Sequence, residues 1–168
     1  MPGLATPKHT MINAKDVEFM NTRSDVVVSS CSVDLKPSMC WGAGGHVHAD
    51  GRHVTVWLPR AQAAAMLADI EATGVVAAVF TEPFTSQALQ VKGRNARVRE
   101  ARADDGPILA RHLDNMIREI ARVGFAERFV RAVFDLPLPA LAAVEFTVQD
   151  LFIQTPGPHA GQPGAVTP

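Results

Sequence analysis

Between Val54 and Gly93 the chain reads VTVWLPRAQAAAMLADIEATGVVAAVFTEPFTSQALQVKG. Its first residues, continuing from His53 to Leu58, are rich in β-branched side chains and predict a strand, after which Pro59 can occupy a first helical position. Ala61, Ala64, Ala65, Leu67 and Ile70 then supply one apolar helix face, and Gly74 suits the position that stops such a helix. Val75 to Phe80 is apolar throughout, which predicts a strand covered on both faces. Glu82-Pro83 and Thr85-Ser86 mark a loop before the next strand. One helix is thus set into a chain that otherwise reads as strands, and few small folds accept that order.

The flanking text is rich in strand signals. Val26, Val27, Val28 and Val33 predict a largely buried strand from Asp25, Leu35-Lys36-Pro37 turns the chain, and Ser38 to His48 can return as a partner strand. Asp50-Gly51 is a hairpin signal. Gln87 to Arg102 reads as a long strand with a slip of phase: Leu89 and Val91 are odd-numbered, whereas Ala96 and Val98 are even. Side chains alternate with period two, so the inward face must switch between Gly93 and Asn95, and a bulge at Gly93 accounts for it. Asp104-Asp105-Gly106-Pro107 suits a helix start, with Leu109, Leu113, Met116, Ile117 and Ile120 as the apolar stripe and Gly124 as the stop. A shorter helix over Ala126 to Phe134 and a last strand over Ala140 to Gln154 follow. The expected organisation is a flexible tail over residues 1–13, one domain over 14–155 that opens with a short helix, and an irregular tail over 156–168.

Bulk properties exclude several classes. With 16 basic and 17 acidic side chains the net charge is −1, which gives no long-range attraction to nucleic acid or to an anionic membrane. Cys31 and Cys40 do not make a disulfide framework, and no apolar run reaches the length that spans a bilayer, so a cytoplasmic protein is expected. No tyrosine occurs, which removes phenolic acids from any proton transfer. Nucleophile-elbow, zinc-protease and paired-cysteine motifs do not occur either.

Several residues remain as candidates for chemistry. Gly42-Ala43-Gly44-Gly45 lies inside a strand pattern and serves either a sharp barrel bend or the close approach of a flat ligand. His46 and His48 share a strand face beside His53; they are solvated or hydrogen-bonded histidines, or else ligands of a metal or haem iron. Arg60, at the expected junction of strand and helix, can hold a phosphate, or is a solvated surface arginine. Gln90, Lys92 and Arg94 share a polar face that is either solvent-exposed or lines a pocket or interface. Trp41 and Trp57 are core or interface residues, or stack on a ligand ring.

The words VTVWLPR, VVAAVF and LQVKG, in this order of elements, resemble the FMN-binding split barrels of the pyridoxamine 5′-phosphate oxidase superfamily. The resemblance covers Asp25 to Arg102, with the strand near Ala140 to Gln154 fitting the same architecture and Gln154-Thr155-Pro156-Gly157-Pro158 similar to a C-terminal family segment. It implies an α+β fold: an antiparallel split β-barrel, with one helix inserted between barrel strands and two helices after the long strand. It also implies a homodimer with FMN in the cleft between subunits. By the same resemblance Met39, Cys40, Trp41 and Gly42 run along the flavin, Leu58, Arg60 and Gln62 belong to the phosphate turn, and Gln87, Gln90 and Lys92 lie close to the cofactor. The chain departs from the vitamin B6 oxidases in having Met39, Cys40 and Trp41 where they carry basic residues, and Gln62 in place of a lysine. The implied function is flavin-mediated redox chemistry on a small molecule. Its alternatives are a cofactor-free ligand-binding or stress-related split barrel, and a haem or deazaflavin binder.

Overall fold

The computed structural model describes residues 11–167, so residues 1–10 of the expected N-terminal tail lie outside the described residues. The elements follow in the order β1 (Met11–Ile12), α1 (Ala14–Thr22), β2 (Asp25–Cys31), β3 (Pro37–Trp41), β4 (Gly44–Val47), β5 (His53–Pro59), α2 (Ala64–Thr73), β6 (Val76–Thr81), β7 (Ala88–Glu100), α3 (Gly106–Ala121), α4 (Glu127–Phe134), β8 (Leu141–Ile153) and β9 (Val166–Thr167). Seven strands form one antiparallel sheet in the order β3-β2-β6-β7-β8-β5-β4.

The two ends of that order are consecutive in sequence. Ser38 to His48, expected as one strand, is divided at Gly42 and Ala43. The Gly42 N–H donates to the Val26 carbonyl at 2.9 Å, and the Ala43 N–H to the Trp57 carbonyl at 2.8 Å. Adjacent residues therefore bond to opposite edges of the sheet, and a single straight strand cannot serve two partners so placed. The kink curls the sheet into an α+β split barrel.

Its interior is filled by inward-facing side chains of alternating positions, among them Val26, Val28, Val54, Val56, Phe80, Val91 and Phe146, all buried. Helix α2 packs Met66, Leu67 and Ile70 onto this core and stops at Gly74, whose φ of 66° is left-handed, as expected from sequence. On the opposite side α3 lies over β4, and Val130 and Phe134 of α4 close a small core with Met116 and Ile120.

Two local expectations need correction. Helix α2 does not begin near Pro59. That residue stays in β5, paired with Leu141, and Arg60 donates its N–H to the Ala140 carbonyl. The ladder with β8 holds the backbone extended, and the helix starts four residues beyond Arg60, at Ala64. The second correction concerns β7. The face switches as expected, through two register shifts: Lys92 pairs with Asp150 but Gly93 with Val148, and Arg94 pairs with Thr147 but Arg97 with Glu145. The left-handed residue is Asn95, at φ 55°, rather than Gly93. Gly93 is needed for space, because a Cβ there would lie 2.1 Å from Phe146 Cδ2.

Both ends of the described chain are tied down. β1 pairs with β9, and the Asn13 side chain accepts the Asp16 N–H as the cap of α1. The Asn21 amide bonds both backbone groups of Val47, donating to its carbonyl and accepting its N–H at 2.8 Å each, along the free side of β4.

Candidate functional site

Strand β3 carries alternate side chains outward, which exposes Met39 at 75% and Trp41 at 53% while Cys40 turns inward. The Trp41 indole N–H donates to Asp25 Oδ2 at 3.1 Å, and its ring meets Phe134 edge-on at a centroid separation of 6.1 Å. A groove of about 280 Å³ opens beside it, walled by Trp41, Gly42, Pro59, Gln62, Val133 and Phe134. The barrel kink, the turn after β5 and the end of α4 thus meet at one place.

Asp25 is buried at this wall, and its Oδ1 has no partner among the described residues. Burial pushes its carboxyl up to about 6, against the hydrogen bonds from Trp41 and from the Thr81 backbone, which lower it. Burial likewise raises the Cys40 thiol. Sequence reasoning used Asp25 only as the start of a strand. A carboxylate opening a strand expected to be buried was the available signal, since such a group needs a partner. Phe134 carried no signal beyond its place in an amphipathic helix.

The phosphate-turn residues take different positions. Leu58 is fully buried in the barrel, so only its backbone faces the turn, and Gln62 is exposed at the groove. The Arg60 guanidinium donates to Glu100 Oε2 at 2.5 Å and to the Leu141 carbonyl at 3.3 Å. With side chains 39% and 78% exposed, this ion pair contributes about 0–1 kcal/mol. A phosphate dianion would therefore exchange for Glu100 at small cost.

The glycines are occupied by the chain's own packing. A Cβ on Gly42 would lie 2.7 Å from Val26 Cγ1, one on Gly44 2.9 Å from Leu109 Cδ2, and one on Gly45 2.8 Å from Phe80 Cε1. Gly42 and Gly45 are needed for the barrel's own packing, and Gly44 for the close approach of α3.

Gln90 and Lys92 stand on the same outer sheet face as Trp41 but not beside it. The cross-strand row runs Trp41, Val27, Val79, Gln90, so three strand spacings, about 14 Å, separate its ends. Gln90 accepts from the Gln154 amide at 3.3 Å, and Lys92 Nζ lies 4.7 Å from the centroid of the Phe152 ring. Gln87, half-buried, is the last loop residue before β7. The candidate residues therefore fall into two groups that one chain does not bring together.

The histidines are engaged locally. His48 Nε2 is 2.9 Å from Thr55 Oγ1, and His53 Nδ1 is 2.5 Å from Asp50 Oδ2. His46 is pushed down by burial and by His48 and Arg111 nearby. Among the described residues no three His, Cys, Asp or Glu side chains are grouped to hold a metal ion.

No protein-family model matches this sequence, and no curated protein matches it. Solved structures do. HupZ of Group A Streptococcus superposes with a TM-score of 0.57 at 12% identity, over 89% of this chain and 100% of that one. A candidate pyridoxamine 5′-phosphate oxidase of Lactobacillus delbrueckii gives 0.52 at 14% identity, over 84% and 93%. This chain is a split barrel of the pyridoxamine 5′-phosphate oxidase-like fold. More distant solved structures include ones described as an FMN-binding protein, a haem storage protein and an F420 reductase. The likeness is one of architecture, and the ligand of this split barrel has to be argued from its own residues. Among its described residues no helix is long and apolar enough to cross a membrane.

Proposed function

We propose that this split barrel binds FMN in a cleft between two copies of the chain and serves redox chemistry on a small molecule. The observation that carries the reading is the division of the candidate residues into two groups on one outer face. A second copy laid against that face would supply Gln90 and Lys92 to the groove beside the other copy's Trp41. It would also cover Met39 and Trp41, an apolar surface on the β3 end of the same face.

The residues at the groove, with Arg60 next to its wall residue Pro59, fit a flavin nucleotide. Trp41 offers a half-exposed ring for stacking, Gln62 a polar group at the rim, and Arg60 a guanidinium that can exchange Glu100 for phosphate. FMN, when bound, supplies hydride and electron transfer, and the protein's share is to bind, orient and exclude competing reactions. In this reading the protein acts in the cytoplasm, where the thiols of Cys31 and Cys40 stay reduced.

One observation favours a second reading, that of a cofactor-free ligand-binding module. Arg60 is already satisfied by Glu100 and Leu141, and among the described residues the groove walls carry no cation. Titration with FMN while following flavin fluorescence, alongside sedimentation of the free protein, separates the two. Stoichiometric binding by a dimer is expected; the absence of binding at high micromolar FMN overturns the flavin reading in favour of the cofactor-free one.

A further inference from the structure

We propose that Asp25 is a positioning residue for Trp41: its carboxylate holds the indole ring at the groove wall, and protonation of that carboxylate releases the ring. The geometry is a short chain of contacts. Asp25 Oδ2 accepts the indole N–H, and the Trp41 and Phe134 rings meet at near right angles with centroids 6.1 Å apart, so the ring is held at two places while half of it stays open to solvent. If Asp25 served only to satisfy that N–H, a neutral acceptor would do so without the desolvation of a carboxylate. Asp25 instead keeps one oxygen buried and unpartnered.

The surroundings make this group sensitive to pH. The Trp41 indole N–H of β3 and the nearby backbone N–H groups of Thr81 in β6 and of Asp25 itself favour the ionised form, but burial outweighs them and pushes the carboxyl up to about 6. Charged side chains on the adjoining elements are engaged elsewhere. Glu82, after β6, is bonded by Thr85 and Arg122; Asp135, after α4, by Arg131; and Arg23, before β2, lies over the Phe19 ring. A hydrogen bond to an ionised carboxylate is roughly twice as strong as one to its neutral form. Above about pH 6 the ring is therefore held, and below it the hold weakens.

That this tunes ligand stacking rests on the proposed flavin groove; the hold on Trp41 itself does not. The test reads the two separately. The emission of Trp41, taken as the difference between wild type and Trp41→Phe without ligand, is expected to change with a midpoint near pH 6. Asp25→Asn retains an acceptor for the N–H but does not titrate, so its difference emission should be flat across that range. Asp25→Ala should resemble acid wild type at all pH values, and if it fails to fold, the wild-type and Asp25→Asn profiles still decide. FMN affinity should fall several-fold more from pH 7 to pH 5 in the wild type than in Asp25→Asn, where only the protonation of the FMN phosphate itself remains. A flat wild-type profile, or the same midpoint in Asp25→Asn, overturns the proposal. An intact fluorescence midpoint with no FMN binding leaves it standing and removes the flavin reading alone.

Discussion

Gly42 donates its backbone N–H to the carbonyl of Val26 at 2.9 Å, and that bond draws the kinked strand onto the β2 edge. A side chain at Gly42 would stand 2.7 Å from Val26 Cγ1 and 3.2 Å from the Val26 oxygen itself. The backbone contact cannot be relieved by turning a rotamer. Gly42→Ala is expected to lower stability by about 1–3 kcal/mol, measured by urea unfolding, with larger residues worse. An unchanged midpoint would mean that the seam is not held there.

Gly93 faces Phe146 across the β7–β8 ladder, and a Cβ would overlap its ring at 2.1 Å. Here the obstacle is a side chain. Gly93→Ala should cost about 1–3 kcal/mol by itself and much less in a Phe146→Leu background. A double-mutant cycle on thermal unfolding checks the coupling; strict additivity would show that the ring is not what requires glycine.

The pair Arg60–Glu100 offers opposite outcomes from its two members. Loss of the guanidinium in Arg60→Ala should weaken FMN binding at least tenfold, on the order of the 1.5–3 kcal/mol of a charged hydrogen bond. Glu100→Gln removes the competitor and should strengthen it. Neither change should move the melting temperature much, because the pair is exposed. Isothermal titration of the three proteins tests this, and equal affinities would remove Arg60 from the phosphate site.

Two carboxyls give stability opposite slopes with pH. Burial of Asp105 raises its carboxyl, but the bidentate Arg99 at 2.7 and 2.9 Å and the Arg102 N–H more than offset this and hold it at about 2. Its folded pKa is below the unfolded 3.8, so its contribution is present above about pH 4 and is lost as pH falls towards 2. Asp25 is raised to about 6, so its ionisation costs stability as pH rises from about 4 to 6, by at most about 3 kcal/mol. Chemical unfolding from pH 3 to 7 should show Asp25→Asn gaining on the wild type across the upper window. Asp105→Asn should lose to it most at neutral pH. Parallel curves for either variant would contradict its assignment.

Much of this was written in local patterns. The strand, helix and strand between His53 and Gly93, the stop at Gly74 and the switch of face in β7 depend on residues close in sequence, and they can be read there. The glycines from Gly42 to Gly45 offered a bend there, but not its division of the strand between Val26 and Trp57, which lie on two separate edges. The helix start moved from Pro59 for a similar reason: Leu141, far along the chain, claims Pro59 for a strand. Trp41, Arg60 and Gln90 were visible as candidates, whereas their separation into two groups follows from strand order. Asp25 passed unnoticed because its meaning depends on an indole delivered by the neighbouring strand.

The Asn21 amide on Val47 does for β4 what another strand would do, filling both a donor and an acceptor with one side chain. An uncovered strand edge is a template on which another chain can add, so this amide also acts as a stopper against intermolecular pairing. Replacing it would leave the N–H and carbonyl of the buried Val47 without partners, at a cost to the fold as well as to the protection of that edge.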